Sequence, residues 1–285
     1  MNEDNQCLEL EPRWSQDYAH QISRNIGHVT LKEQELLRTT PIGVFGVGGL
    51  GGLLSEQLVR TGCEHLVICD RDVFEPSNLN RQICKNKHMG DLKINVVAEH
   101  LEKINSNVQV DKYNAVNLNT IDSLLKDVKI VALTLDDPIG SILIARECRK
   151  RNIPMVETWG IPYIWSFWFT QHSIDYETCY KLNTHNMTIE ELFASGMTSF
   201  GDLFPKLTQF PRIGEMYDRY PGMWDKMKRG EVPYRSFAPF IGISASYLCA
   251  EIIFAGILGV KPMNLAPNVI GFDYLRMILF EFEME

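Results

Sequence analysis

The sequence has seven cysteines in 285 residues, yet no two of them form a Cys-x-x-Cys pair. Cys7, Cys63, Cys69, Cys84, Cys148, Cys179 and Cys249 are scattered, several of them inside apolar runs. This predicts reduced, buried thiols and a cytoplasmic protein rather than a disulfide framework. The seven histidines show no zinc-ligand spacing either. No Gly-x-x-x-x-Gly-Lys-Ser/Thr stretch occurs, which excludes a Walker loop as a phosphate site. Positive charge is in deficit. The 28 Lys and Arg against 36 Asp and Glu give a formal net charge of −8. That balance argues against broad binding to nucleic acid or to an anionic membrane. The start, "MNEDNQCLELEPRW", has no apolar signal core, so no secretory signal is expected. Internal repeats and low-complexity tracts are absent.

Long hydrophobic runs are scarce too, with one exception. Phe237 to Val260 carries a single charge, Glu251, and is long enough to span a bilayer. Glu251 would then sit near the middle of the lipid. Arg235 and Lys261 flank the run one on each side and set no orientation. The expectation is therefore a helix buried in a soluble core and no membrane association. The overall composition, 45% hydrophobic and 22% charged, is that of a globular chain with a sizeable core.

What the chain does have is an alternation of strand and helix. Residues 1–14 read as a loose acidic arm, and Asp17 to Thr40 as helical. Thr30 and Glu33 form a capping box that predicts a helix start at Leu31. Ile42–Phe45 reads as a strand, Leu50–Thr61 as a helix capped by Gly62, and "HLVICD" as a strand buried on both faces. Helix, strand, helix, strand, helix and strand follow as far as "IPMVETWG". This spacing predicts an α/β fold, a Rossmann-like and mostly parallel sheet with helices on both faces. After Gly160 come the strand-like "YIWSFWFTQ", a short helix capped by Thr188 and Glu191, and a Pro-, Gly- and aromatic-rich loop region over 196–236. The apolar helix and a last strand, "MILFEFEME", extend the fold at its C-terminal end. Three parts of one compact domain are expected: an N-terminal helical arm at 1–40, a nucleotide-binding core at 41–160, and an extension at 161–285 with a substrate and dimer segment.

The chemistry gathers at "GVGGLGG". Gly46, Gly48 and Gly51 follow a strand and open a helix, so backbone amides can approach a phosphate at the helix N-terminus. Asp70 ends the next strand, where a ribose-binding carboxylate belongs. This pattern predicts a nucleotide without identifying it, since the adenosine halves of NAD and ATP look alike to such a turn. The following stretch, "RDVFEPSNLNRQICKNKHMGDLK", leans toward ATP. Arg81 and Lys93 can neutralise a triphosphate and a departing pyrophosphate, and Asn78 can bond a phosphate or ribose oxygen. Asp136, at the carboxyl edge of the sheet, can hold magnesium.

These residues resemble the ThiF/MoeB/HesA family, the ancestors of ubiquitin-activating enzymes. The resemblance is carried by "SRNIG…EQELL", "GVGGLGG", "DRDVFEPSNLNRQ", "GDLK", "LTLDD…EC…RNIPMVE" and "APFIGISASYLCAEI", and it covers most of residues 18–285. It implies ATP- and magnesium-dependent adenylation of a carboxylate with release of pyrophosphate. The carboxylate would be the C-terminus of a small carrier protein or peptide, or a small molecule. By resemblance Asp70 holds ribose. Asp72, Gly49, Asn78, Arg81, Gln82 and Lys93 belong to the nucleotide site, and Asp136 ligates magnesium. Arg24, in "SRNIG", matches an arginine inserted into the partner's site in a homodimer. The sequence departs from the family in four places. "TCYKLN" keeps only Cys179 of two Cys-x-x-Cys pairs, so no zinc is expected. Glu231 and Val232 stand where relatives carry a loop cysteine, so a thioester is not expected. Ser141 replaces an arginine, and Asp137-Pro138 replaces Asp-Asn. These changes admit a non-catalytic, nucleotide-binding member as an alternative, and an NAD-dependent oxidoreductase is a further one. The acceptor is expected to dock at 165–235.

Other features read as structural. Trp159, Trp165 and Trp168 are expected in the core or an interface. Cys179 is expected to be an inert thiol, with Lys181 on the same face of a strand. His172 and His185 show no partner.

Overall fold

The computed structural model describes residues 14–197 and 206–284. The acidic arm expected at 1–14 falls almost wholly outside the described residues, as do positions 198–205 of the predicted loop region. Two short helices come first, α1 (Gln16–Ile22) and α2 (Leu31–Thr39). The predicted capping box is present: Glu33 N donates to Thr30 Oγ1, and Thr30 N donates to the Glu33 carboxylate at 2.8 Å. Such a cap contributes about 1 kcal/mol. Tyr18 ties both helices to the core. Its hydroxyl donates to Gly62 O and accepts from Gln34 Nε2.

The main sheet has six strands. They are β1 (Ile42–Phe45), β2 (His65–Cys69), β3 (Gln109–Tyr113), β4 (Ile130–Leu133), β5 (Met155–Glu157) and β7 (Phe167–Phe169), in the order β3-β2-β1-β4-β5-β7. All pairings are parallel except β5 with β7. The strands next to the centre are buried on both faces, and alternate residues serve different layers. Phe45, Val67, Val131 and Leu133 face one core layer, with α5 (Ile121–Leu125) and α6 (Pro138–Arg151). Val44, Ile68, Ile130 and Ala132 face the other, with α3 (Gly49–Arg60) and α4 (Lys93–Glu102).

The C-terminal strands build a second, antiparallel sheet, β6 (Tyr163–Trp165), β8 (Asn268–Asp273) and β9 (Ile278–Glu283), in the order β6-β8-β9. "YIWSFWFTQ" therefore divides at Ser166, one half in each sheet. Strand β8 has no counterpart in the sequence reading. Gly271 interrupts its alternation because the Phe280 ring of β9 occupies the space; a β-carbon there would stand 2.4 Å from Phe280 Cζ.

Between β7 and β8 in the chain come short helices, among them α7 (Tyr176–Cys179), α8 (Ile189–Ala194), α9 (Ile213–Tyr217) and α10 (Met223–Lys228). Cys179 and Lys181 are not on a strand. The first ends α7, buried, and burial pushes its thiol up to about 12; the second is exposed with φ +50°. His185 does have a partner, the Asp175 carboxylate at 2.9 Å. Trp165 and Trp168 are fully buried. Cys63, Cys69, Cys84, Cys148, Cys179 and Cys249 are free thiols.

The apolar run forms α11 (Ala238–Ala250) and continues as a π-helical stretch over Glu251–Ile257. Among the described residues this is the one helix long and apolar enough to cross a membrane, and half of it is buried within the protein. It packs along α3, where Gln57 Nε2 donates to Ser246 Oγ. Glu251 is buried, paired with Lys261 at 2.5 Å and accepting from Trp168 Nε1.

Candidate active site

The β1–α3 turn is shaped by what its glycines exclude. Gly46 has φ +98°, and a β-carbon there would lie 2.3 Å from Thr134 O. A β-carbon on Gly51 would lie 1.8 Å from Gly46 O. These two positions close the turn. Gly48 and Gly49 do something else: they are half-exposed, and side chains of the "NLNRQ" stretch hang over them. The nearest atom to a Gly48 β-carbon would be Gln82 Nε2, and to a Gly49 β-carbon Arg81 Cγ. Gly48 caps α3 without any side-chain hydrogen bond, so the first amides of the helix point outward as an anion-binding end.

Asp70 holds the turn in place. Its two carboxylate oxygens accept from Val47 N and Asp72 N, both at 2.9 Å. A carboxylate has about four lone-pair sites, which leaves capacity for a ribose hydroxyl. Burial raises the Asp70 pKa, and these amide bonds and the nearby Lys93 pull it back.

Arg81 follows a short 3₁₀ segment, Pro76–Asn78, and its stem reaches the turn. Its Nη1 donates to Ser77 O and Asn80 Oδ1, and it has no carboxylate partner among the described residues. Asn78 is buried and accepts from Glu75 N. Gln82 Oε1 is buried with no hydrogen-bond partner among the described residues. Lys93 opens α4 and is 7% exposed; its ammonium donates to Asp72 Oδ2 at 2.8 Å.

Asp136 follows β4. Its side chain is exposed. The protein packed around it raises its pKa, Lys93 and Arg81 oppose the rise, and Asp72 and Asp70 add to it. Lys93, Arg81, Asp70 and Asp72 thus all lie within electrostatic reach of Asp136. The accessible donors are carboxylate oxygens, which fit a hard cation such as magnesium.

The departures have physical explanations. Asp137 caps α6 by accepting from Gly140 N, with Pro138 at the first helical position, and its other oxygen meets Arg71 Nη1 at 3.4 Å. Ser141 is completely buried on α6 and does not face the cleft. Arg24 is brought to none of these residues. It is exposed beyond α1 and makes no ion pair with a described residue. Thr134 was not singled out from the sequence, yet its hydroxyl lies within hydrogen-bond reach of Phe45 O and Gly46 O and ties β4 to the turn. A hydroxyl residue two positions before Asp136 was the available signal.

A similar arrangement of chain recurs among known proteins. Chain folds like this one include PaaA (17% identical, TM-score 0.67, covering 96% of this chain and 85% of that one). Escherichia coli MccB solved with ATP is 19% identical with a TM-score of 0.65, covering 95% of this chain and 73% of that one. At such identities the likeness is one of fold. In sequence, ubiquitin-like modifier-activating enzyme 5 of Drosophila ananassae is 28% identical over 141 residues, 45% of this chain and 36% of that protein. The tRNA threonylcarbamoyladenosine dehydratase of Bacillus subtilis strain 168 is 27% identical over 144 residues, 50% of this chain and 57% of that protein. The chain thus spans about a third of the first of these relatives and just over half of the second. The ThiF family model matches residues 18–285. With the glycine turn, the Asp-x-Asp pair and "NLNRQ" inside that span, the chain belongs to the ThiF family.

Proposed function

We propose that this protein adenylates a carboxylate with ATP and magnesium and releases pyrophosphate. One observation carries the reading: two cations, Arg81 and Lys93, and the carboxylate Asp136 converge on an uncapped helix N-terminus. Hydride transfer from NAD has no use for that convergence. The acceptor oxygen attacks the α-phosphorus, the bond from that phosphorus to the bridging oxygen breaks, and pyrophosphate departs with the electron pair. The amides of α3 and the Arg81 guanidinium bind the phosphates. Lys93 moves from Asp72 toward the oxygens on which charge grows. Asp70 orients the ribose and Gln82 accepts a hydrogen bond within the cleft. Asp136 would hold magnesium, which when bound neutralises phosphate charge. Catalysis here is positioning plus electrostatic stabilisation.

The proposed carboxylate is the C-terminus of a small carrier protein or peptide, or a small molecule, docking at 165–235. Escherichia coli MccB has been solved with the peptide MccA and an ATP analogue, which supports a peptide acceptor. A cytoplasmic homodimer is part of the proposal. Two observations support the homodimer. Arg24 makes no ion pair among the described residues. An apolar surface runs from the outward side of α11, where Pro239, Ile243 and Tyr247 line a depression of about 640 Å³, to the outer face of the second sheet. There Ile164, Phe272 and Leu279 lie side by side, and Leu279 is 80% exposed.

The burial of Ser141, at the position where the family resemblance implies an arginine, favours a second reading: a nucleotide-binding member that does not turn over. Exchange of labelled pyrophosphate into ATP, with candidate carboxylates added in turn, separates the two. Exchange supports adenylation; tight ATP binding without exchange or bound acyl-AMP for any carboxylate overturns it.

A further inference from the structure

Asn80 joins two parts of the chain 156 residues apart. Its Oδ1 accepts from Arg81 Nη1 at 2.8 Å, and its Nδ2 donates to the Ser236 carbonyl at 2.9 Å. Ser236 lies one residue before Phe237, the cap of α11. In the first turns of α11, Ile241 stands over Gly49 beside the Arg81 stem; a Gly49 β-carbon would meet Ile241 Cγ2 at 3.4 Å and Arg81 Cγ at 3.3 Å. The stretch entering α11 is thus fastened, through one side-chain amide, to the arginine that overhangs the phosphate-binding end of α3. An amide suits this place, because it accepts on one side and donates on the other.

We propose that Asn80 is a positioning residue that couples occupancy of the phosphate site to the placement of residues 231–237. The proposal rests on the reading that Arg81 faces a polyphosphate. In the free protein two neutral oxygens, Ser77 O and Asn80 Oδ1, hold Arg81 Nη1. A phosphate oxygen is a charged acceptor, and such bonds are roughly twice as strong as neutral ones. Both Nη1 hydrogens are thus taken in the free protein, so a phosphate that draws the guanidinium toward itself pulls Nη1 away from Asn80. When Nη1 turns to the phosphate, Asn80 Oδ1 loses its donor and the amide is free to rotate. The bond from Nδ2 to Ser236 O is then no longer held from behind, and residues 231–237 change their position or mobility. The ligand binds one arrangement better than the other because it takes the hydrogen bond that defines the first, which is the condition for a shift in the equilibrium.

The test uses the full chain as wild type, Asn80→Asp and Asn80→Leu. Aspartate keeps the acceptor and loses the donor; leucine loses both. Binding of ATP–magnesium is measured by calorimetry, and amide exchange of peptides spanning 231–240 by mass spectrometry, with and without saturating ATP–magnesium. Wild type is expected to change exchange in those peptides by about fivefold or more, the lower end of ordinary coupling between sites. Both variants are expected to bind ATP–magnesium while those peptides cease to respond. A wild-type segment that ignores bound ATP, or variants that respond as wild type does, overturns the coupling and leaves the nucleotide reading standing. Failure of wild type to bind ATP–magnesium overturns that reading and the coupling together.

Discussion

The aliphatic stem of Arg81 lies across Gly49, close enough that a β-carbon at Gly49 would come within 3.3 Å of Arg81 Cγ. A backbone position and a cation 32 residues away in the chain are thereby locked into one surface.

The glycines should separate by role. Gly51→Ala drives a β-carbon to 1.8 Å from Gly46 O, and backbone cannot step aside as a flexible side chain can. The gain in helix propensity, about 1 kcal/mol, does not offset that clash. A net loss of about 2–3 kcal/mol or failure to fold is expected. Gly48→Ala meets nothing closer than 3.7 Å. It should melt near wild type and bind ATP at least about tenfold more weakly, since the methyl occupies ligand space. Thermal melts beside calorimetric titrations decide this; equal melting temperatures for the two variants would contradict the assignment.

Lys93→Met and Asp136→Asn should each lower pyrophosphate exchange by about 10²-fold or more, the range seen when one preorganised electrostatic group is removed. Asp136→Asn should also steepen the magnesium requirement. Asp72→Asn releases the ammonium of Lys93 from its 2.8 Å partner and should cost far less. Normal exchange in Lys93→Met would remove that residue from the site.

Glu157 gives a stability prediction. It is buried at the end of β5 among aromatic rings, accepting from Tyr180 Oη at 2.7 Å and Trp159 Nε1 at 3.2 Å. Burial raises its pKa from 4.5 to about 7, against the pull of those two bonds. The folded state therefore holds the proton where the unfolded chain has lost it. Stability attributable to this group falls as pH rises from 4.5 to about 7 and is flat outside that window. The span corresponds to about 3 kcal/mol. Glu157→Gln keeps an acceptor and abolishes the slope. Urea midpoints of the two proteins from about pH 3.5 to about pH 8, on the order of one unit either side of the transition, should diverge downward for wild type; parallel curves would refute it.

For the assembly, Ile243→Arg should convert a dimer to a monomer in sedimentation and lower exchange as Arg24→Ala does, because each site then lacks the partner's cation. Arg24→Ala should leave the dimer intact. A wild-type monomer with full exchange would dismiss both expectations.

Much of the fold is legible along the chain because local signals agree with one another. Thr30 and Glu33 mark α2, three glycines and Asp70 mark the first crossover, and unbroken apolar runs mark strands covered on both faces. Strand β8 is hidden because Gly271 is spent on the Phe280 ring, a partner that only register supplies. The break at Ser166 is hidden because both halves are equally aromatic, and only pairing sends one to β5 and the other to β8. His185 finds Asp175 through a loop that no periodicity describes.

Residue chemistry and spacing alone determined the glycine turn, the parallel sheet and the list of charged groups around them, because each follows from bonds between near neighbours or from a repeat of apolar side chains. Tertiary structure decided which of those groups meet. It set Lys93 on Asp72, turned Ser141 inward and left Arg24 outside. It also bound Asn80 to Ser236, since contact between residues far apart in the chain depends on how the layers pack and not on the order in which the residues occur.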